Sequence, residues 1–162
     1  MTSEDRAPVL IFGGVGGIGE ALARRLRQTG QPVAITSRSA ERVQALAAEI
    51  NATAIVCDVM DDASIGAACA VAAHDGRLCG VVYAVGSIPL KPLARTTAED
   101  MTTAYRINVV GAMLAVRDAT SALKMAGGSA ILFSSIAATQ GFANHAAIGA
   151  AKGAIDGLTL RA

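Results

Sequence analysis

Five glycines fall within seven positions, at Gly13, Gly14, Gly16, Gly17 and Gly19. Residues without a Cβ let a backbone turn sharply and approach a bulky anion. Where a helix begins at such a turn, its first N–H groups and the positive end of its dipole face that anion. Two spacings fit: Gly14, Gly16 and Gly19 spell G-x-G-x-x-G, and Gly13, Gly17 and Gly19 spell G-x-x-x-G-x-G. Either suits the pyrophosphate of a dinucleotide, with Ile18 carried in the same turn. The plain alternative is a turn that only packs a helix on a strand; the apolar run Val9–Phe12 just before it favours the nucleotide. Ser37-Arg38-Ser39 adds a second clue. A ribose with two free hydroxyls usually meets an Asp or Glu at the end of the second strand, and no acid stands there. The planar fork of Arg38 suits a 2′-phosphate instead. The expected cofactor is therefore NADP rather than NAD, and the missing acid also speaks against S-adenosylmethionine.

These residues need a scaffold. Val9–Phe12 reads as a strand stopped by Gly13. Ile18, Leu22 and Leu26 recur every four residues, a helix with Gly30 as its stop. Pro32–Thr36 is a second strand, and Ser39 can cap a helix over 40–50. Ala52–Cys57 is a third strand, Asp61–Ala73 a helix, and Leu78–Ala84 a fourth strand. Residues 86–97, with Pro89 and Pro92, read as a loop. A long helix follows from Ala98 to about Met125, then a fifth strand at Ser129–Ser134, a loop over 141–144 and a helix from about His145. Strand and helix alternate with short connections. That order predicts a single α/β domain over residues 1–162, with a doubly wound, Rossmann-like parallel sheet.

Composition narrows the partners. Fourteen basic and 13 acidic residues leave a net charge of +1, too little to hold nucleic acid or an anionic membrane. With 52% hydrophobic and 17% charged residues, the chain is too apolar for disorder. No run of about 18 apolar residues suggests a membrane span, and the opening MTSEDRAPVL lacks the apolar core of a signal peptide. Cys57, Cys69 and Cys79 form no C-x-x-C pair, so reduced thiols in a cytoplasmic protein are expected, with no disulfide framework and no metal site.

The ordered motifs resemble those of the short-chain dehydrogenase/reductase family over essentially the whole chain. Gly13, Gly17 and Gly19 match that family's cofactor loop, although Phe12 replaces its usual Thr. The resemblance implies that Asp58-Val59 contacts the adenine and that Ala84, Val85 and Gly86, in place of the family's N-N-A-G, line the cofactor. It implies catalytic roles for Asn108, for Ser135 of Ser134-Ser135-Ile136, and for Lys152 of Ala151-Lys152-Gly153, which would also hold the nicotinamide ribose. The implied activity is hydride transfer between NADP(H) and a small carbonyl or alcohol, in a homodimer or homotetramer. In the family the long helix and the last helix pair across a two-fold axis, and Gly111, Ala112, Ala115 and Ala119 would allow a close approach.

Two departures qualify the resemblance. The Tyr of the family's Y-x-x-x-K is Ile148, which neither donates nor accepts a proton. General acid–base catalysis contributes about 10²–10⁴-fold, so cofactor binding with weak turnover is expected unless another group supplies the proton. His145, three residues earlier, would share a helical face with position 148; the alternative is a solvent-exposed histidine of the first turn. Tyr83, at the end of the fourth strand, and Tyr105, three residues before Asn108, read as packing residues. The loss of Tyr also supports a different function, an NADP(H)-binding protein without redox turnover, acting as a sensor or an oligomerisation partner. The second departure is length. The family fold continues with two further strands and a substrate-covering loop, so a C-terminally incomplete domain with an apolar edge strand at Ala130–Phe133 is expected.

Overall fold

The computed structural model describes residues 6–159, which leaves the last three residues of the expected incomplete domain outside the described residues. Five strands, β1 (Val9–Phe12), β2 (Val33–Ser37), β3 (Thr53–Val56), β4 (Gly80–Tyr83) and β5 (Ser129–Leu132), form one parallel sheet in the order β3-β2-β1-β4-β5. β1 lies at its centre, pairing Val9–Ile11 with Val33–Ile35 of β2 and Val9–Phe12 with Gly80–Tyr83 of β4. All four of its side chains are buried, as a parallel sheet covered on both faces requires. From β1 the chain winds outward to β3, then crosses back to β4 on the other side of β1. The crevice beyond the carboxyl ends of β1 and β4 is thus the topological switch point, where ligands of open α/β sheets bind.

Two apolar layers cover the sheet. Under α1 (Gly17–Gln28) and α2 (Ala40–Ile50), Ile11, Ile35, Val43 and Val82 are buried together with Ala23. On the other face α3 (Asp62–Ala72) and α5 (Gly111–Ala126) pack over Leu10, Phe12, Val81 and Tyr83. Ala112, Ala115 and Ala119 are fully buried there, beside Ile65, Ala68 and Cys69 of α3. The small-residue stripe therefore seats α5 on its own chain and gives no support to the expected intersubunit contact. Tyr105, read from sequence as a packing residue, is 47% exposed.

The expected long helix is one helical run with an extra residue inside it. α4 (Ala98–Tyr105) passes into α5 through a π-helical turn at Arg106–Val110, with right-handed helical dihedrals at Tyr105, Arg106, Val110 and Gly111. The Tyr83 hydroxyl donates to the Ile107 carbonyl inside this turn, at 2.7 Å. Gly111 leaves room for that phenol, since a Cβ there would overlap the Tyr83 oxygen.

Two loops that border the crevice are tied together. Residues 86–97 contain a 3-10 turn at Leu93–Arg95, and the Lys91 amide donates to the Asn144 carbonyl at 3.0 Å. Lys91 Nζ lies 2.6 Å from Asp100 Oδ2, and Asp100 also completes a capping box with Thr97 at the start of α4. The Lys91 ammonium, followed by the Thr97 amide and hydroxyl, holds the Asp100 carboxyl down to about 2, from an ordinary 3.8. A depressed carboxylate contributes stability above its unfolded value and loses it as pH falls through the folded one. The thermal midpoint of Asp100→Asn is therefore expected to fall less than that of the wild type between about pH 4 and pH 2; parallel declines would show that this carboxylate stabilises nothing.

Candidate cofactor and catalytic site

The glycine turn sits at the end of β1. Gly13 takes a left-handed φ of 77°, and its amide donates to Thr36 Oγ1 while the Gly14 amide donates to the Thr36 carbonyl. A Cβ on Gly14 would stand 2.5 Å from Ile35 Cβ, and one on Gly19 would overlap the Gly13 carbonyl oxygen. These two glycines let the strand and α1 touch. Gly17 is different: beyond its chain neighbours and its own helix backbone, no atom lies within 4 Å of where its Cβ would be. Gly16 caps α1 without a side chain, so no side-chain cap takes the first N–H groups of α1.

From this turn a cavity of about 290 Å³ runs past Ser37, Arg38, Asp58, Val59 and Val85 to Gly86. Arg38 is exposed at its rim. Arg42, one turn into α2, also lines it, and its Nη2 donates to the Val15 carbonyl of the glycine turn at 2.9 Å. Sequence reasoning passed over Arg42; its signal was the four-residue spacing from Arg38 across the helix start. Asp58 Oδ1 accepts from the Met60 amide, and the Asp58 amide donates to Ser64 Oγ, which fixes the turn after β3.

At Val85 and Gly86 this cavity meets a second one of about 320 Å³, lined by Ala84, Asn108, Ser135, His145, Ile148 and Lys152, with Ile18, Ile88 and Phe133 as apolar walls. Asn108 is presented by the π turn and is 1% exposed. Its Nδ2 donates to the Ala104 and Ser87 carbonyls, whereas its Oδ1 has no partner. A Cβ on Gly86 would lie 2.9 Å from that oxygen. Ser135 precedes a 3-10 turn at Ile136–Ala138 and accepts from the Ala137 amide, which leaves its hydroxyl proton to give. Lys152 lies on α6 (Ala146–Thr159), and its Nζ donates to the Phe133 carbonyl at 2.7 Å. Burial lowers its pKa from the ordinary lysine value. Ser134 Oγ donates to the Lys152 carbonyl and ties α6 to the end of β5.

The sequence-predicted residues therefore gather around two cavities that share Val85 and Gly86 in their linings. Glycine turn, Arg38 and Asp58 stand at one end, and Asn108, Ser135 and Lys152 at the other. Ile148 is buried at the wall of the second cavity. His145 is partly buried and lines the same cavity, contrary to a freely exposed first-turn histidine. Tyr83 reaches the cavity, but its hydroxyl is spent on Ile107 and burial pushes its pKa well above the ordinary phenol value. The two cavities and the turn fit a dinucleotide on four counts: room at Gly17, a helix start with no side-chain cap, two arginines on the lining, and an orphaned buried acceptor at Asn108.

The chain is similar to several known proteins. A family profile described as enoyl-(acyl carrier protein) reductase matches residues 14–162. The 3-oxoacyl-[acyl-carrier-protein] reductase of Mus musculus is 32% identical over 152 residues, covering 92% of this chain and 64% of that protein. Hydroxynaphthalene reductase of Aspergillus fumigatus is 36% identical over 159 residues, covering 93% and 57%. The solved structure of a short-chain type dehydrogenase/reductase from Mycobacterium ulcerans is similar at a TM-score of 0.88 and 28% identity, covering 98% of this chain and 61% of that one. This chain belongs to the short-chain dehydrogenase/reductase family, and its relatives are named reductases and dehydrogenases. It spans less than two thirds of the length of these relatives. Among the described residues, no helix is long and apolar enough to cross a membrane.

Proposed function

We propose that the chain serves an NADP(H)-dependent oxidoreductase that interconverts a carbonyl and an alcohol. The observation that carries this reading is the pair of cavities, sharing Val85 and Gly86, that run from the glycine turn to Asn108, Ser135 and Lys152. When bound there, the nicotinamide supplies or takes up the hydride. The protein's part is to hold and to polarise. Arg38 and Arg42 clamp a 2′-phosphate with their planar forks, and the N–H groups at Gly16–Gly19 take the pyrophosphate. Asp58 and Val59 border the adenine, and Ala84, Val85 and Gly86 floor the path to the nicotinamide. Lys152, pinned through one N–H to Phe133, keeps its other donors for the ribose hydroxyls. Ser135 gives its hydroxyl proton to the carbonyl oxygen in a hydrogen bond. The three thiols are free, in keeping with a reducing compartment such as the cytoplasm. The expected homodimer or homotetramer rests on the family resemblance alone.

Titration calorimetry with both cofactors tests the reading. NADPH is expected to bind more tightly than NADH, and Arg38→Ala to weaken NADPH by about 10- to 150-fold, the worth of one hydrogen bond to a charged group. Equal affinities for the two cofactors would refute the phosphate role. Ile148 favours a second reading, binding without turnover; NADPH oxidation over a panel of carbonyls separates the two.

A further inference from the structure

We propose that His145 is the proton donor to the substrate's carbonyl oxygen, an inference that rests on the oxidoreductase reading above. Reducing a carbonyl requires a proton as well as a hydride, and three titratable side chains line the inner cavity: Tyr83, Lys152 and His145. Tyr83 is 3% exposed and gives its only proton to the Ile107 carbonyl. Lys152 is anchored to Phe133 at the cavity's other wall. Ile148, one helical turn from Lys152, has no proton to give.

His145 is held as a donor needs to be held. Its carbonyl accepts from the Gly149 amide at 2.7 Å, in the first turn of α6. Its ring packs against Phe142, with centroids 5.5 Å apart. Nδ1 lies 2.7 Å from the Ala143 carbonyl, so the proton on Nδ1 is committed there and Nε2 is the nitrogen left for chemistry. A backbone acceptor on one ring nitrogen sets which nitrogen acts. His145 also lines a separate cavity of about 360 Å³ beside Gln140 and Asn144. The imidazole thus borders both the reaction cavity and a second, open cavity from which water can return a proton.

The step balances as follows. The carbonyl carbon takes a hydride from a reduced nicotinamide, and the C=O π pair moves onto oxygen. That oxygen, hydrogen-bonded to Ser135, forms a bond to the proton on Nε2 of the imidazolium. The Nε2–H bond breaks and its electron pair stays on nitrogen. The ring is left neutral, with its proton on Nδ1 facing Ala143, and solvent restores the imidazolium.

2-Tetralone, an apolar bicyclic ketone matched to the apolar walls, serves as the probe. In NMR of the protein without cofactor, adding 2-tetralone is expected to move the imidazole signals of His145 and leave those of His74 in place. His145→Gln identifies which signals belong to which ring. With NADPH present, His145→Gln is expected to lower kcat by about 10²–10⁴-fold while the NADPH Kd stays within about twofold of the wild type. Adding Ile148→Tyr to His145→Gln places a phenol one turn from Lys152 and should recover at least about tenfold of the lost rate, which no merely structural role for His145 explains. Three results would overturn the proposal: His145 signals unmoved by the ketone, a His145→Gln rate within about threefold of wild type, or tight NADPH binding with no ketone reduction. Failure to bind NADPH would instead refute the oxidoreductase reading itself.

Discussion

Gly17→Ala is expected to lose NADPH binding by at least about 100-fold without any change in thermal midpoint, whereas Gly19→Ala loses both. The two glycines lie two residues apart and do different work. Beyond its chain neighbours and its own helix backbone, nothing lies within 4 Å of a Cβ on Gly17, so no tertiary contact resists an alanine. The same methyl would stand where the uncapped N–H groups of α1 meet the pyrophosphate, and a misplacement of about 1 Å at a positioned group costs on the order of 10²-fold. At Gly19 the methyl overlaps the Gly13 carbonyl oxygen and presses on Gly14 Cα at 2.9 Å. Both neighbours are backbone, so the turn itself must move and drag the start of α1 with it. Overpacking of this kind costs about 1–3 kcal/mol. Calorimetry and thermal melting on the two variants decide the matter. A Gly17→Ala protein that binds NADPH as the wild type does would remove the pyrophosphate from this turn.

Gly111→Ala is expected to destabilise the protein by about 1–3 kcal/mol, and Tyr83→Phe to remove much of that cost. An alanine methyl at 111 overlaps the Tyr83 hydroxyl and lies 3.1 Å from the ring carbon that bears it. The phenol has little freedom to retreat. Its ring packs against Phe12 with centroids 5.8 Å apart, and its hydroxyl is bonded to Ile107. Tyr83→Phe alone removes the hydrogen bond to the partly buried Ile107 carbonyl, worth about 0.5–1.5 kcal/mol. In the double variant the overlapping oxygen is gone, so the two losses should fall short of their sum by at least about 0.5 kcal/mol. Denaturant unfolding of the four proteins measures the coupling. Strict additivity would mean that Gly111 and Tyr83 do not share the π turn.

Much of this was legible in the residue order. The glycine turn, the strand–helix alternation and the positions of Asn108, Ser135 and Lys152 rest on local spacing, and the structure gathers these residues around two cavities that share Val85 and Gly86. Other features escaped for physical reasons. A π turn adds one residue to a helix whose two ends keep the same kind of apolar face, so periodicity over residues 98–125 reads it as one smooth helix. The stripe at Gly111, Ala112, Ala115 and Ala119 shows that something packs closely on α5, but composition does not say whether that is another subunit or α3. Tyr105 looked like a packing residue because aromatics usually are, yet it falls on the solvent face of α4. His145 could be placed near Ile148 by helical spacing, but its partner at Ala143 and its place between two cavities depend on how the 141–144 loop folds back. Arg42 was hidden by the ordinary look of a charged residue in the first turn of a helix.

The π turn also bears on how this chain tolerates changes of length. In an α-helix each residue turns the axis by roughly 100°, so losing a single residue ordinarily rotates everything after it out of register. Residues 106–110 already hold one residue more than an α-helical run needs. Deleting one of them lets the segment relax to α geometry while α4 and α5 keep their present faces toward the sheet and toward α3. The flanking packing cannot distinguish the two lengths; Asn108 and the carbonyl that Tyr83 holds can. An insertion or deletion at this point therefore rewrites the site while leaving the architecture untouched, and length variation elsewhere in the same helical run does the reverse.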